Sequence, residues 1–151
     1  MKTRIHAIAG AIGFLTILTF WTSTIISEVF GSYATIALVK QAVLYGMVLL
    51  IPALMITGVS GVSLGAKRKD AKTRAKKRRM PLIAANGLLI LVPSAVFLAS
   101  KANAETFDNW FYGVQVLELV AGATNLALMG LNIRDGLMMT GRINRKKKRT
   151  S

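Results

Sequence analysis

The chain has 151 residues, no cysteine, one histidine and a formal net charge of +14, and 53% of its residues are hydrophobic. Without thiols it forms no disulfide, thiolate metal site or iron–sulfur cluster, and a lone histidine supplies neither a structural zinc site nor a bis-histidine haem within the chain. The mean hydropathy of +0.50 comes from long apolar blocks, the pattern of membrane spans rather than of a soluble domain.

Four apolar runs follow in chain order, at about 5–30, 33–59, 81–100 and 110–133. Each reaches the ~20 residues that a helix rising 1.5 Å per residue needs to cross ~30 Å of hydrocarbon. Backbone amides cannot be left bare in lipid, and no alternating strand pattern is present, so the runs are expected to be helices. The first run follows a basic start, but it is too long for a signal peptide and no small-residue cleavage site follows it, so it is expected to be retained. No lipidation motif is present. The connection "GSY" is very short and predicts a tight hairpin between the first two spans. The second connection, 66–80, is long and basic, and the third, "KANAETFDN", is short and mildly acidic.

All but Lys40 and Lys101 of the 20 Lys and Arg residues lie before span one, between spans two and three, or in the tail 134–151 after span four. With four spans these three regions share one side of the membrane. The positive-inside rule assigns that side, with both termini, to the cytoplasm. The expectation is a single multi-pass domain of the cell inner membrane. Phe107, Trp110, Phe111 and Tyr112 at the opposite end of span four, and Phe30 and Tyr33 at the hairpin, are placed as headgroup-depth aromatic residues would be. Pro52 and Pro93 interrupt spans two and three, where each removes a backbone hydrogen bond and is expected to bend its helix, whereas Pro81 is expected in the first turn of span three. The even number of spans per half rules out an inverted repeat, and no convincing residue match relates the halves.

The polar residues inside the spans are the candidates for function. Gln115, Glu118, Gly122, Asn125, Met129 and Asn132 recur at steps of three and four and form one helical stripe, which should face the bundle interior. Glu118 stands eight residues past Trp110, ~12 Å below the outer boundary. An intramembrane carboxylate needs a partner. Lys40 lies at similar depth in span two, where a Glu118–Lys40 pair would neutralise both charges, and Glu28, near the outer end of span one, is the rival for Lys40. The short hairpin favours a Glu28–Lys40 pair, leaving Glu118 protonated or hydrogen-bonded to hydroxyl and amide groups. Asn86 adds a polar group to span three. His6, at the start of span one, is the one residue able to serve as an axial ligand if haem b is bound, together with a methionine such as Met55, Met80 or Met129.

Ala7/Ala11, Ala9/Gly13 and Ala123/Ala127 follow small-xxx-small spacing, which brings helix backbones close in lipid. Span one also carries Thr16, Thr19, Thr22, Ser23, Thr24 and Ser27, whose hydroxyls can bond backbone carbonyls. Lys67, Arg68, Lys69, Lys76, Lys77, Arg78 and Arg79 in the middle connection, and Arg145, Lys146, Lys147, Lys148 and Arg149 in the tail, are candidate contacts for anionic headgroups or an acidic partner. No aromatic residues interleave these cations, so nucleic acid is not an expected partner. No nucleophile elbow, zinc-protease motif or phosphate-binding glycine loop is present, and no catalytic residue or metal site is assigned.

The segments "IHAIAGAIGFLTILTFWTSTIISEVFG", "LLIPALMITGVSG", "KRRMPLIAANGLLILVPSAVFLA" and "LELVAGATNLALMGLNIRDG" together resemble small bacterial four-span inner-membrane proteins without an assigned activity. The resemblance covers most of the chain as an overall pattern and implies no catalytic residues. Small b-type cytochromes are similar in size and span number, but this chain lacks their paired histidines. The expected molecule is therefore an all-α integral membrane four-helix bundle. It is expected to be non-enzymatic, an accessory or scaffold subunit associating with itself or with a larger membrane complex. A haem b or proton-linked electron-transfer subunit, and a small channel or exporter, are the alternatives.

Overall fold

A computed structural model of the chain describes residues 2–65 and 71–139. Helix α1 (Lys2–Phe30) is followed by α2 (Tyr33–Gly65), and α3 (Ala71–Asn86) runs through a π-helical turn (Gly87–Leu91) into α4 (Val92–Asn103). Helix α5 (Asn109–Met139) closes the series, and no strand occurs among the described residues. Four stretches, Thr3–Phe30, Tyr33–Gly65, Thr73–Asn103 and Asn109–Met139, are long and apolar enough to cross a membrane. Among the described residues the chain is thus all-helical with four candidate spans, those of a multi-pass membrane protein.

Local chemistry explains each turn. At the α1–α2 turn, the Gly31 amide bonds the Ser27 carbonyl at 2.9 Å, and a Cβ on Gly31 would lie 2.5 Å from that same oxygen. Only glycine permits so close a pass. Ser32 then caps α2: its hydroxyl accepts from the Thr35 amide at 3.3 Å, covering one of the donors a helix start leaves bare. At the end of α4, the Thr106 amide reaches the Lys101 carbonyl and the Glu105 amide reaches the Ala102 carbonyl, the paired bonds of a Schellman motif. The residue this motif holds in the left-handed region is Glu105, at φ 52°. Asp108 starts α5, accepting the Phe111 amide on Oδ1 at 2.9 Å while Oδ2 accepts from Lys101.

Three helices outrun their expected spans. Helix α2 extends six residues beyond 59, to Gly65, α5 extends six residues beyond 133, to Met139, and the helix of the third span begins at Ala71 rather than at Pro81. Residues 71–80 are rich in Ala, Lys and Arg, all strong helix formers, so the helix continues after hydropathy falls. Pro81 accordingly stands inside α3, not in its first turn. The π-helical turn immediately precedes Pro93, with the Val92 amide bonding the Gly87 carbonyl five residues back. A wider turn relieves the clash of the proline ring with the preceding turn and absorbs its missing donor. Pro52 sits inside an unbroken α2 with its ring exposed.

The helices form a square. Helix α1 packs on α2 and α5, while α2 also packs on α3 and α4, and α5 on the same third span. Among the described residues, neither diagonal, α1 with the third span or α2 with α5, brings backbones together. Helix α2 buries Ile36, Lys40, Val43, Met47, Leu50 and Ala53, steps of three and four that keep one face inward. Three apolar clusters fill the square, around Leu98 and Phe111 near the hairpin, around Met47 and Ala95 in the middle, and around Ile17, Leu50, Ile83 and Met129 toward the basic end. At Gly46 the Phe20 ring lies where a Cβ would stand, so α1 and α2 touch there at glycine distance. Leu38, Tyr45, Val48, Val59, Leu89 and Trp110 point outward, as lipid-facing residues do.

Candidate functional site

The polar stripe of α5 faces inward as its spacing predicts. Gln115, Gly122, Asn125 and Met129 are buried, and Glu118 and Asn132 are half-buried. Its partners come from three other helices, at three depths.

Nearest the hairpin, Lys40 is 1% exposed and its Nζ lies 2.6 Å from Glu118 Oε2. This arm crosses the diagonal that no backbone crosses, so the ion pair joins α2 to α5 through the centre of the square. Gln115 Nε2 donates to the same carboxylate oxygen at 3.2 Å. The expected Glu28–Lys40 pair is not formed. Helix α2 turns Lys40 toward the bundle axis, where Glu118 is within reach, and Glu28 lies beside the pair with its Oε1 buried and without a donor. Gln115 Oε1 is likewise buried and without a donor. Ser27 bonds the Thr24 carbonyl, as expected of a helix hydroxyl.

Below the pair, Trp21 Nε1 donates to the Leu119 carbonyl at 2.9 Å, and its ring packs against Gly122. A cavity of about 50 Å³ opens here, lined by Trp21, Thr24, Val43, Met47, Glu118 and Gly122 among others. It has room for a few water molecules. One layer further, Asn86 Nδ2 donates to Asn125 Oδ1 and to the Ala121 carbonyl, both at 2.8 Å, and fully buried Asn125 donates to the Ile83 carbonyl. These amides tie the third span to α5 beside the π-helical turn.

At the basic end, Arg79 Nη1 lies 2.7 Å from Asp135 Oδ2 and bonds Asn132. Arg79 is therefore turned toward Asp135 and Asn132 of α5. Lys76 is half-buried near Gly136, while Lys77 and Arg78 are exposed. Lys67, Arg68, Lys69, Arg145, Lys146, Lys147, Lys148 and Arg149 lie outside the described residues. His6 Nδ1 lies 3.1 Å from the Thr57 carbonyl and 3.0 Å from Ser60 Oγ, and Ser60 Oγ itself donates to the Ile56 carbonyl. That pattern puts the ring proton on Nδ1. His6 and the Met80 methyl both pack at Gly61, and His6 lines neither the Trp21–Glu118 cavity nor the groove at Tyr33 and Phe107.

Sequence reasoning missed Asp135 and the roles of Trp21 and Ser60. Asp135 was legible, since it stands three residues past Asn132 and extends the stripe by one step. Trp21 was not, because an indole in a span reads equally well as a lipid-facing ring. The small-residue motifs divide in two: Ala9 and Gly13 are buried, Gly13 against Leu54 and Met129, whereas Ala7, Ala11, Ala123 and Ala127 face outward. No cluster of metal-ligating side chains occurs among the described residues. The arrangement can pair charges, hold or release a proton, and fix helix register. The whole sequence matches no protein-family model, no curated protein and no solved structure.

Proposed function

We propose that the chain is a non-enzymatic accessory or scaffold bundle of the inner membrane that associates with itself or with a larger membrane complex. The observation that carries this reading is an outward seam of small residues on α5. Ala123 and Ala127 are exposed, and a Cβ on Gly113 or Gly130 would meet no other atom within 4 Å. At ~100° per residue these four fall within one arc of about 100°. Glycine costs roughly 1 kcal/mol in a helix relative to alanine, so unfilled glycines on a lipid face fit a surface another helix approaches. The interior supports the same reading, since its polar groups are mostly spent on one another. The cavity beside Glu118, about 50 Å³, has room for only a few waters, which disfavours the channel alternative.

The basic end supplies the lipid contact. Exposed Lys77 and Arg78 ride on the first turns of α3, at headgroup depth, and each adds roughly 1 kcal/mol of attraction to an anionic leaflet. By the positive-inside rule this end faces the cytoplasm.

The test is purification in mild detergent with mass measurement and an absorbance scan. The expected result is a defined homo-oligomer or a fixed partner, reduced to bare monomer by Ala127→Leu with the helical content unchanged. A wild-type monomer with no partner would overturn the association. A stoichiometric Soret band, lost in His6→Ala, would replace it with the haem b reading.

A further inference from the structure

The Lys40 layer holds an imbalance that the scaffold reading does not use. Three ionisable side chains influence one another there: Glu28 from α1, Lys40 from α2 and Glu118 from α5. Lys40 and Glu118 neutralise each other at 2.6 Å. Glu28 feels the charges of both, and Tyr112 of α5, itself beside Tyr33 of α2, is the remaining ionisable group facing it. With both carboxylates ionised the layer carries one uncompensated negative charge inside the span, a costly arrangement.

Hydrogen bonding shows the same deficit. Glu28 Oε1 and Gln115 Oε1 are both buried acceptors without a donor, and Gln115 is only 3% exposed. Gln115 Nε2 donates one hydrogen to Glu118, and Glu28 Oε1 receives none. What the layer lacks is one positive charge and one donor. A single proton provides both. A sodium ion fits less well, because the Lys40 ammonium already pairs with Glu118 and would repel a second full charge.

We propose that this layer is a proton-binding site, with Glu28 as the proton carrier and the Lys40–Glu118 pair as its fixed counter-charge. Binding forms one O–H bond on the Glu28 carboxyl, with the proton taken from water at the hairpin end, less than one turn beyond Glu28. The number of protons held equals the carboxylates minus the ammonium in the layer.

The experiment is infrared spectroscopy of the full chain in lipid nanodiscs at neutral pH, reading the carbonyl band of protonated carboxyl groups. The wild type is expected to show one such group per chain, shifted in D2O. Glu28→Gln removes it with thermal unfolding little changed. Glu118→Gln also removes it, because Lys40 is then free to neutralise Glu28. Lys40→Met raises the count to two. No band in the wild type, or a band that survives Glu28→Gln, would overturn the assignment. So would a band displaced by sodium chloride at constant pH, which would make the site a metal-cation site.

Discussion

Lys40 is the residue on which most of the interior depends. An ammonium at 1% exposure inside a span is tolerable only because Glu118 meets it. Removing one member of such a pair leaves the other buried and unpaired, which costs about 3–5 kcal/mol. Lys40→Met is therefore expected to destabilise the bundle by up to that amount, measured by unfolding in mixed detergent. Lys40→Met combined with Glu118→Gln should recover most of the loss. Equal losses in the single and double variants would show that the pair is not coupled. That these two residues sit inside the bundle was legible from lipid exclusion alone. Which carboxylate Lys40 chooses was not, because the choice turns on the rotation of α2 and α5 about their axes. Adjacency along the chain pointed to Glu28, whereas the side chain reaches across the diagonal.

At the scale of elements, the α4–α5 turn carries two opposed features. The left-handed position of its Schellman motif holds Glu105 at φ 52°, where a side chain costs about 1–2 kcal/mol and glycine costs little. Glu105→Gly should raise the thermal unfolding midpoint, with a gain of about 1 kcal/mol. Asp108 acts in the other direction. The Lys101 ammonium first, then the Phe111 amide, hold its carboxyl below the usual aspartate range. A lowered native value means that the folded chain binds this proton less readily than the unfolded one. The contribution is complete above the ordinary aspartate range and is lost as pH falls through the lowered native value. Asp108→Asn should flatten the acid side of the stability profile and leave the rest little changed, which thermal melts across pH would show. The first feature could not be read from the sequence, since nothing in "KANAETFDN" marks Glu105 as the residue to take positive φ, whereas the cap at Asp108 follows a familiar pattern. The helical continuation through 71–80 was hidden for a different reason. Hydropathy reports where lipid ends, and Lys and Arg keep a helix going past that point.

At the scale of the molecule, four spans and an inward polar stripe follow from one requirement, that lipid satisfies no backbone or side-chain polar group. The stripe on α5 then distributes its partners along the bundle: an ion pair near the hairpin, amides at the middle, and Arg79 with Asp135 at the basic end. Each layer joins α5 to an earlier helix, so the last span completes the interior.

That dependence on α5 has a consequence for biogenesis. Lys40 and Glu118 are 78 residues apart, a separation that takes roughly 4–16 s to synthesise at ~5–20 residues per second. For that interval the second span must enter the bilayer with its ammonium unanswered by its final partner. Among the described residues of the first four helices, the one carboxylate is Glu28, which leaves the ribosome before Lys40 does. Glu28 is thus the carboxylate that the nascent hairpin already carries before the fourth span arrives.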